Sequence, residues 1–553
     1  MPPPIAGLTG LHLRQRMVTS VIGLPLRGKA HMARRLKRYL EFFHGFHVRL
    51  FDVNDYIDVP NGDQQLLEDL KDFFDCRKVS PNSSLQQKYV DSGRFAILYV
   101  SDTYASLPSM WSGHSKWRRR WMVSTLEHEL QAHTMFVEIQ VDDSTTHRQE
   151  YMDRLERSRG LPPGSLAENI VAYAQHYVTI QADGTEDDLA FIKLINYNKK
   201  VVTNNMMRSF IGTRIAQFLS SVHPYKHAIY LSRHGESEYN VEKKIGGDSS
   251  LSPLGREYAP RLAEFADWMI CGRAEKFAVV TLAGKEIRGL RERISRVPPS
   301  GQTGGLFAKG TWEPSSSVQP GMRLVRMQRG YGTPFEDVPY SVDEVCELAN
   351  KGNGPLTLIF VDADTVQRSF GSCGSDDPDR VCARLWTSSL RRTKETASYI
   401  RHPTIRLPDG RVWEQMAHRI YRNLDEVYAG DFEGFTYEEI KKASPEEASL
   451  RKLDKLGYRY PRGESYYDII ARLDLPVQQL ETFHEPILII GHQAVHRVLY
   501  AFLTGVEREM APELNIPLHT VIKLESDGTG TLTETRFFLG PTRLEEDDGQ
   551  RFL

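Results

Sequence analysis

Short β-branched runs alternate with amphipathic stretches in two separate parts of the chain, a pattern typical of parallel β-sheets covered by helices. The first series has an apolar run at 18–23, a helix-like stretch at 29–43 and another apolar run at 47–53. Further members of this series are strand candidates at 95–100 and 136–141 and a helix candidate at 117–130. The sequence therefore predicts an α/β unit with a parallel sheet in this part of the chain.

A second series of the same kind begins at 227–235 and includes apolar runs at 384–389 and 486–492, with helical segments between them. The boundary between the two series is expected near 221–226. The predicted regions are an N-terminal tail (1–16), a first α/β domain (17–223), a second α/β domain (224–541) and a C-terminal tail (542–553).

The second domain contains a long stretch that breaks the alternation. Residues 291–332 are rich in Gly, Pro, Ser and Arg without a clear period, and 371–379 is also polar, which predicts loops or disorder. Between them, 340–350 is typical of a helix and 355–364 of a strand. We therefore expect an insertion at about 271–382 with an ordered part.

Composition excludes several classes of function. Lys and Arg (70) nearly balance Asp and Glu (72), so no global positive charge favours nucleic acid or anionic membranes. The five cysteines lack the spacing of a disulfide framework or a zinc site. No apolar run approaches the roughly 18 residues of a membrane span, and no secretory signal is recognisable. We expect a cytoplasmic protein, and we assign no residue as a metal ligand.

A glycine-containing loop joins the first strand to the first helix. In the sequence Gly23-Leu-Pro-Leu-Arg27-Gly28-Lys29, backbone N–H groups can hold phosphate oxygens at the helix N-terminus, and Lys29 adds a positive charge. The complete pattern ends in Ser or Thr, whose hydroxyl ligates Mg²⁺, whereas Ala30 has no such oxygen. A turn that binds nothing and a weakened nucleotide site are both open at this point.

A second group of polar residues follows the strands of the second series. Arg233 and His234 come after one apolar strand, and His492 and Arg392 come after two others. Since open α/β sheets bind ligands at strand ends, these side chains are expected to converge on one anionic pocket. A neutral histidine can attack phosphorus, and arginines can pair with phosphoryl oxygens. Glu426 is a candidate for protonating a leaving oxygen.

These motifs resemble the 6-phosphofructo-2-kinase/fructose-2,6-bisphosphatase family, whose C-terminal half belongs to the histidine phosphatase (phosphoglycerate mutase-like) superfamily. The resemblance covers most of 17–540 without the insertion, and the segments that carry it are 245–259, 436–440, 458–466, 491–497 and 517–524. It implies a P-loop kinase-like parallel-sheet domain followed by a histidine phosphatase α/β domain with a large insertion. It also implies Mg-ATP for an active kinase and no cofactor for the phosphatase.

In the phosphatase half, the resemblance implies that His234 becomes phosphohistidine and that Glu426 protonates the C2 oxygen of the departing sugar. The residues implied to hold the transferred phosphoryl group are Arg233, Asn240, Arg392 and His492. The other residues implied to contact the substrate are Gly247, Tyr437, Arg451, Lys455, Tyr466, Gln493 and Arg497. One departure is Tyr428, where the family usually has an acidic residue.

The kinase half resembles the family less closely, because Ala30 ends the loop and the run 54–58 replaces a pair of arginines. The implied nucleotide-binding residues are Gly23, Arg27, Gly28, Lys29 and Asn204, and the implied kinase-site residues are Asp102, Arg119, Arg120 and Lys193. Loss of a metal ligand and of two sugar-phosphate arginines removes positioning and charge stabilisation. We therefore expect a weak or inactive kinase.

The expected activity is hydrolysis of fructose 2,6-bisphosphate to fructose 6-phosphate and phosphate through a phosphohistidine. The alternatives are a fully bifunctional kinase/phosphatase, a regulatory protein that senses phosphosugar or nucleotide without turnover, and another phosphatase or mutase of the superfamily. The expected partners are a small phosphosugar, ATP at the P-loop and a second copy of the chain. Nucleic acid and membranes are not expected as partners.

Overall fold

In a computed structural model, the chain folds as two compact units, one formed by residues up to about 225 and the other by most of the remainder. The structure describes residues 16–75, 93–101, 109–141, 164–181, 183–196, 199–206, 209–223, 227–272, 276–296, 306–310, 318–330, 335–339, 341–351, 354–362, 381–407, 410–526 and 532–540, with the single positions 153, 156, 157, 162 and 312. Across these residues, no helix combines the length and the apolar character that a membrane span requires.

The first unit is built on a six-stranded sheet. Its strands are β1 (Met17–Ile22), β2 (His47–Asp52), β3 (Arg94–Tyr99), β4 (His133–Gln140), β5 (Ala190–Ile195) and β6 (Lys200–Asn204). Its helices are α1 (Lys29–His44), α2 (Gly62–Phe74), α3 (Lys116–Leu130), α4 (Ser165–Ala174) and α5 (Phe210–Ser221). The strand order β2-β3-β1-β4-β5-β6 is parallel except that β6 is antiparallel to β5. The predicted parallel sheet is confirmed, and β6 adds an antiparallel edge.

The second unit contains two larger sheets and a short strand pair. Its strands are β7 (His227–Arg233), β8 (Phe277–Leu282), β9 (Ile294–Ser295), β10 (Leu306–Ala308), β11 (Arg323–Arg329), β12 (Glu336–Asp337), β13 (Leu356–Val361), β14 (Arg384–Thr387), β15 (Thr404–Arg406), β16 (Val412–Glu414), β17 (His418–Ile420), β18 (Ile487–Gly491), β19 (Thr520–Ser526) and β20 (Leu532–Phe538). Its α-helices are α6 (Glu238–Val241), α7 (Pro253–Phe265), α8 (Lys285–Arg288), α9 (Leu290–Arg293), α10 (Val342–Asn350), α11 (Arg391–Ala397), α12 (Tyr437–Ala443), α13 (Pro445–Leu453), α14 (Tyr466–Glu481) and α15 (Gln493–Thr504).

The main sheet of the second unit has the order β17-β14-β18-β7-β19-β20. The first four of these strands are parallel, β19 is antiparallel to β7, and β20 is antiparallel to β19. The carboxyl ends of β7, β14 and β18 therefore lie at the same edge of the sheet. This edge is where a parallel sheet places its ligand.

The insertion forms a sheet of its own, with the antiparallel order β8-β13-β11-β10-β9 and β12 paired to β11. The helix expected at 340–350 and the strand expected at 355–364 are confirmed as α10 and β13. The loop or disorder expected over 291–332 is wrong where β9, β10 and β11 lie. In β11, arginines at both ends and in the middle interrupt the apolar pattern, although its apolar residues are buried. The polar run 371–379 lies outside the described residues.

The inserted sheet is packed on both faces. On one face, Phe277 and Ile359 join the core of the main sheet around Phe265. On the other face, Leu324 and Leu358 belong to a separate apolar core that includes α10. Because burial of apolar area drives such packing, the insertion is an integral layer of the second unit.

Candidate active site

Two histidines follow neighbouring parallel strands of the main sheet. His234 comes after β7 and His492 comes after β18, and the pairing of Gly491 with Arg233 aligns the two strand ends. The backbone N–H of His234 donates to the carbonyl oxygen of Gly491 at 3.0 Å. The two imidazole rings lie 5.1 Å apart between centroids, inclined at 53°. The sheet thus brings both histidines to one point on its edge.

The environment of His234 suits a nucleophile. Its Nδ1 lies 2.6 Å from the carbonyl oxygen of Gly235, which can only accept, so Nδ1 carries the proton and Nε2 keeps its lone pair. Burial, reinforced by Arg392 and Arg233, holds the pKa of His234 well below 6.5. The imidazole is therefore neutral at pH 7, as attack on phosphorus requires.

Two buried arginines flank His234. The guanidinium of Arg392 donates to the carbonyl oxygen of Gly247 at 2.7 Å, and that of Arg233 donates to Ile516 at 3.0 Å. Nε of Arg233 is buried without a hydrogen-bond partner in the described part of the chain. Burial lowers the pKa of Arg233 to about 10, so it remains charged at pH 7. An unpaired buried donor beside a nucleophile fits a phosphoryl oxygen.

Glu426 lies on a loop, and its carboxyl group contacts the start of α15. Its Oε1 accepts hydrogen bonds from the backbone N–H groups of Val427 at 3.0 Å and Ala494 at 3.2 Å. Since Ala494 is in the first turn of α15, the carboxyl group is held at a helix N-terminus. This carboxyl group lines the same cavity as His234.

The cavity in front of His234 has a volume of about 310 Å³ and is strongly cationic. Its charged lining residues are Arg233, Lys243, Lys244, Arg392, Arg451, Lys455 and Arg497, with the acidic residues Glu426 and Glu464. Asn240, Tyr437, Tyr466 and Gln493 also line it. Seven cationic groups against two carboxyl groups favour a small ligand with more than one negative charge.

Two further arginines of the cavity, Arg451 and Arg497, are held by tyrosines. Arg451 donates from Nε to the Tyr460 hydroxyl and from a terminal nitrogen to the Tyr437 hydroxyl, both at 2.9 Å. Arg497 donates to the Tyr466 hydroxyl at 3.1 Å. These bonds fix the guanidinium planes in place, which lowers the entropy lost when an anion binds.

Three implied substrate residues have additional or different contacts. Lys455 pairs with Glu513 at 3.2 Å, and burial lowers its pKa. The side-chain oxygen of Asn240 accepts from Ser237 at 3.0 Å and caps α6. Gly247, which has a positive φ of 64°, lines a neighbouring cavity instead of this one. Its link to the site is the carbonyl oxygen that holds Arg392.

Several lining residues were not anticipated from the sequence. Tyr460, which holds Arg451, and Glu464 lie in the segment 458–466 that carried the family resemblance. Lys243 and Lys244 follow Asn240 closely, and this spacing was the available signal for them. Tyr428, the departure from the family, is 53% exposed and lines the neighbouring cavity.

The glycine loop of the first unit has the geometry of a tight strand-to-helix turn. Gly23 has φ 141°, and a Cβ there would lie 2.5 Å from the carbonyl oxygen of Ile139. Gly28 precedes α1 with φ 83°. Lys29 is 1% exposed, and its Nζ donates to the carbonyl oxygen of Leu24 at 2.9 Å. The ammonium group is thus bonded within its own loop.

The implied kinase-site arginine Arg119 forms a buried ion pair. Its Nε and one terminal nitrogen donate to the two carboxylate oxygens of Glu186 at 2.8 and 2.9 Å, and both side chains are fully buried. The other terminal nitrogen donates to the carbonyl oxygens of Gly113 and Val178 at 3.0 and 2.8 Å. A guanidinium with four such bonds has little capacity left for a phosphate.

The remaining kinase candidates also bond within the protein. Lys193 donates to the carbonyl oxygen of Ile180 at 2.7 Å, and Asn204 donates to that of Leu189 at 2.6 Å. Arg120, an exposed residue, pairs with Asp188 at 3.0 Å. Asp102 lies outside the described residues.

A buried carboxyl group beside the glycine loop escaped the sequence reasoning. Glu138 on β4 is level with Ile22 at the end of β1 and with Lys193 on β5. It accepts hydrogen bonds from the Ile180 backbone and the Tyr177 hydroxyl and lies 3.4 Å from Lys193. Its oxygens are therefore already in use. Among the described residues, Glu138 is engaged and Ala30 lacks a side-chain oxygen, so neither position offers a free ligand for a magnesium ion.

Two known protein families match this chain, each over a different part of it. Residues 9–226 match the 6-phosphofructo-2-kinase family, and residues 229–269 and 373–536 match the histidine phosphatase superfamily (branch 1). The second match is interrupted over the inserted sheet. The α/β fold with a histidine phosphatase unit is thereby confirmed.

Relatives with different names are similar over nearly the whole chain. A probable 6-phosphofructo-2-kinase of Schizosaccharomyces pombe is 28% identical, over 94% of this chain and 69% of the relative. A fructose-2,6-bisphosphatase of Saccharomyces cerevisiae is 26% identical, over 92% and 86%. 6-phosphofructo-2-kinase/fructose-2,6-bisphosphatase 3 of Rattus norvegicus is 26% identical, over 94% and 71%. The relatives thus include proteins named for either activity and for both.

Proposed function

Because the chain belongs to the 6-phosphofructo-2-kinase/fructose-2,6-bisphosphatase family, we propose that its second unit hydrolyses fructose 2,6-bisphosphate to fructose 6-phosphate and phosphate. We further propose that the 2-kinase activity of its first unit is weak or absent. The observation that carries the proposal is the cationic cavity in which a neutral His234 lies between two buried arginines.

In the first step, Nε2 of His234 attacks the phosphorus of the 2-phosphate, and the bond between phosphorus and the C2 oxygen breaks. Arg233 and Arg392 pair with the phosphoryl oxygens, on which negative charge is spread in the transition state. Glu426, in its protonated form, gives its proton to the departing C2 oxygen. The product leaves as fructose 6-phosphate and His234 holds the phosphoryl group.

In the second step, water takes the place of the sugar. The carboxylate of Glu426 accepts a proton from this water as it attacks the phosphorus, and the bond from phosphorus to Nε2 of His234 breaks. Phosphate leaves, and both side chains return to their starting protonation states. A single carboxyl group serves as acid and then as base, so no metal ion or cofactor is needed.

The cavity also has the cationic groups that a second phosphate needs. Besides Arg233 and Arg392, it is lined by Arg451, Lys455 and Arg497, and tyrosines already orient these two further arginines. So many cationic groups in one cavity match a sugar with two phosphates better than a monophosphate. This arrangement favours the proposed substrate over the substrates of a general phosphatase.

The test is a paired assay on purified protein with the substrate fructose 2,6-bisphosphate. Wild type is expected to release phosphate and to form an acid-labile phosphoenzyme, and His234→Ala is expected to do neither. His402→Ala, a change at a histidine outside the cavity lining, is the matched control and should retain activity. Phosphate release that persists in His234→Ala would contradict the proposal.

The alternative of a bifunctional enzyme is supported by the preserved strand-to-helix turn from Gly23 to Lys29. It predicts ATP-dependent formation of fructose 2,6-bisphosphate, which would accumulate in His234→Ala because the product is no longer hydrolysed. The same synthesis should disappear in the double variant with Lys29→Met. Synthesis with these properties would replace the proposal of a weak or absent kinase.

A further inference from the structure

Ser388, the first residue after β14, is a buried hydroxyl that the two proposed steps do not use. Its Oγ lies 2.7 Å from Nε2 of His492 and 2.8 Å from Oγ1 of Thr393, and it accepts the Leu390 N–H at 3.2 Å. Ser388, Thr393 and His492 are each 0% exposed. Because water does not reach these groups, their hydrogen bonds can be assigned by counting protons.

The direction of the hydrogen-bond chain follows from its last member. Oγ1 of Thr393 lies 2.8 Å from the carbonyl oxygen of Leu390, which can only accept, so the Thr393 hydroxyl donates there. The single proton of Ser388 is then donated to Thr393 Oγ1. Nε2 of His492 must therefore carry a proton and donate it to Ser388 Oγ.

This assignment leaves Nδ1 of His492 without a proton. Nδ1 is buried and has no hydrogen-bond partner among the described residues. If the chain ran in the opposite direction, Nδ1 would carry an N–H group without an acceptor. In that direction Thr393 would donate to Ser388, and its 2.8 Å contact with the Leu390 carbonyl oxygen would hold no proton. The first direction places one proton in each of the three short contacts and is therefore favoured.

We propose that Ser388 is a positioning residue that, together with Thr393, keeps the proton of His492 on Nε2 and leaves the Nδ1 lone pair for the transferred phosphoryl group. This inference rests on the proposed function of the same site. It means that His492 has a defined tautomer before the substrate binds.

The chemistry of a phosphate monoester shows what this lone pair can do. Phosphate monoesters lose their second proton near pH 6, so a bound phosphoryl group can carry one P–OH proton. That proton passes from the oxygen to Nδ1, and the new N–H donates a hydrogen bond to the doubly charged phosphoryl group. Burial, reinforced by Arg392 and His234, holds the pKa of His492 well below 6.5 before the substrate binds, so the imidazolium forms only when the phosphoryl group is present.

The first experiment measures the tautomer directly in the substrate-free protein by ¹⁵N NMR of labelled histidine, with His492→Gln to identify the signals. Wild type should show a protonated Nε2 and an unprotonated Nδ1. In Thr393→Val, Ser388 has lost its acceptor and should donate to Nε2, which moves the proton to Nδ1. Thr393→Ser retains the hydroxyl and should keep the wild-type tautomer.

The second experiment relates the tautomer to turnover of fructose 2,6-bisphosphate. Ser388→Ala is expected to lower kcat about tenfold to a hundredfold with KM changed less than about twofold, since the group that fails is a proton acceptor. Ser398→Ala removes an exposed hydroxyl that donates to the Glu395 carbonyl oxygen within its own turn, and should match wild type.

Either of two results would overturn the inference: a wild-type His492 protonated on Nδ1, or a loss of kcat in Ser388→Ala and Thr393→Val without any change of tautomer. The second result would mean that the hydroxyls only support the fold. If Ser388→Ala does not fold, the Thr393→Val and Thr393→Ser pair still decides the question. Failure of the proposed function is distinguishable, because wild type would then release no phosphate while the tautomer remains measurable.

Discussion

Both units contain buried cationic side chains among their candidate site residues but use them differently. In the second unit, Arg233 and Arg392 flank a nucleophile and line an open cavity. In the first unit, Lys29 donates to its own loop and Arg119 is bound by Glu186. The comparison teaches that a buried cationic residue indicates an anion site only where the acceptors of the protein leave part of its donors unused, as at Nε of Arg233 among the described residues.

The largest effect is expected at Arg392. Arg392→Ala removes a buried donor to the phosphoryl group, and loss of one such donor typically costs about 10²–10³ in rate, so kcat/KM should fall by about that factor. The measurement is phosphate release over a range of fructose 2,6-bisphosphate concentrations. A fall below about tenfold would show that the arginine only supports Gly247.

The adjacent Arg391 provides a matched control for this prediction. It is exposed on the same helix, and within the described part of the chain its guanidinium has one hydrogen bond, to the Ser250 hydroxyl at 3.4 Å. Arg391→Ala should therefore keep kcat/KM within about twofold, since exposed contacts contribute little. Equal losses in both variants would indicate damage to α11 instead of loss of a phosphoryl contact.

The next effect is on the free energy of unfolding, which depends on pH because His496 is buried beside the site. His496 is fully buried, and burial lowers its pKa to about 4, against 6.5 in the unfolded chain. Between these values the unfolded state binds the proton and the folded state does not, so stability is lost as the pH falls from about 6.5 to 4. The loss at pH 4 is about 3 kcal/mol from this group.

His496→Met tests this linkage. Calorimetry near pH 5.2 in buffers of different ionisation enthalpy should show that the variant takes up about one proton fewer than wild type on unfolding. His128→Met, at a histidine whose side chain is exposed, is the control. Identical proton uptake in wild type and His496→Met would exclude the depressed pKa.

A smaller effect is expected at Lys455, another cationic residue of the cavity. A hydrogen bond to a charged group is worth about 1.5–3 kcal/mol, so Lys455→Met should raise KM for fructose 2,6-bisphosphate about tenfold to a hundredfold. The value of kcat should change little, because Lys455 does not flank His234. Lys452→Met, at an exposed lysine of α13, should leave both constants unchanged. A large fall in kcat with constant KM would contradict a binding role for Lys455.

Much of this contrast could be predicted from local patterns. The strands before His234 and His492 are short apolar runs, and a polar motif directly after such a run lies at the sheet edge whatever the rest of the fold does. The same logic located the glycine loop after β1. Strand ends are local features, so a single sequence suffices to find them.

The features that could not be predicted depend on partners distant in sequence. Glu186, which holds Arg119, is 67 residues further along the chain, and Ser388 is 104 residues from His492. The strand β11 was missed because its arginines break the apolar pattern, and two of them pair with Glu336 and Asp337 on β12. Such ion pairs between neighbouring strands stabilise charged residues in a sheet. The hydrophobic periodicity of a single segment does not predict them.

The smallest effect is expected when the missing hydroxyl of the glycine loop is restored. Ala30→Thr supplies the oxygen that ligates Mg²⁺ in complete loops, and the background His234→Ala prevents hydrolysis of any product. We expect ATP-dependent formation of fructose 2,6-bisphosphate to increase by less than about tenfold, because positioning and charge stabilisation carry most of phosphoryl transfer. The run 54–58 still lacks arginines, and Arg119 stays bound to Glu186. An increase of a hundredfold or more, abolished by Lys29→Met, would contradict this expectation. It would show that the missing hydroxyl alone accounts for the weak kinase activity of the first unit, and that the internal hydrogen bonds of this unit open when nucleotide binds.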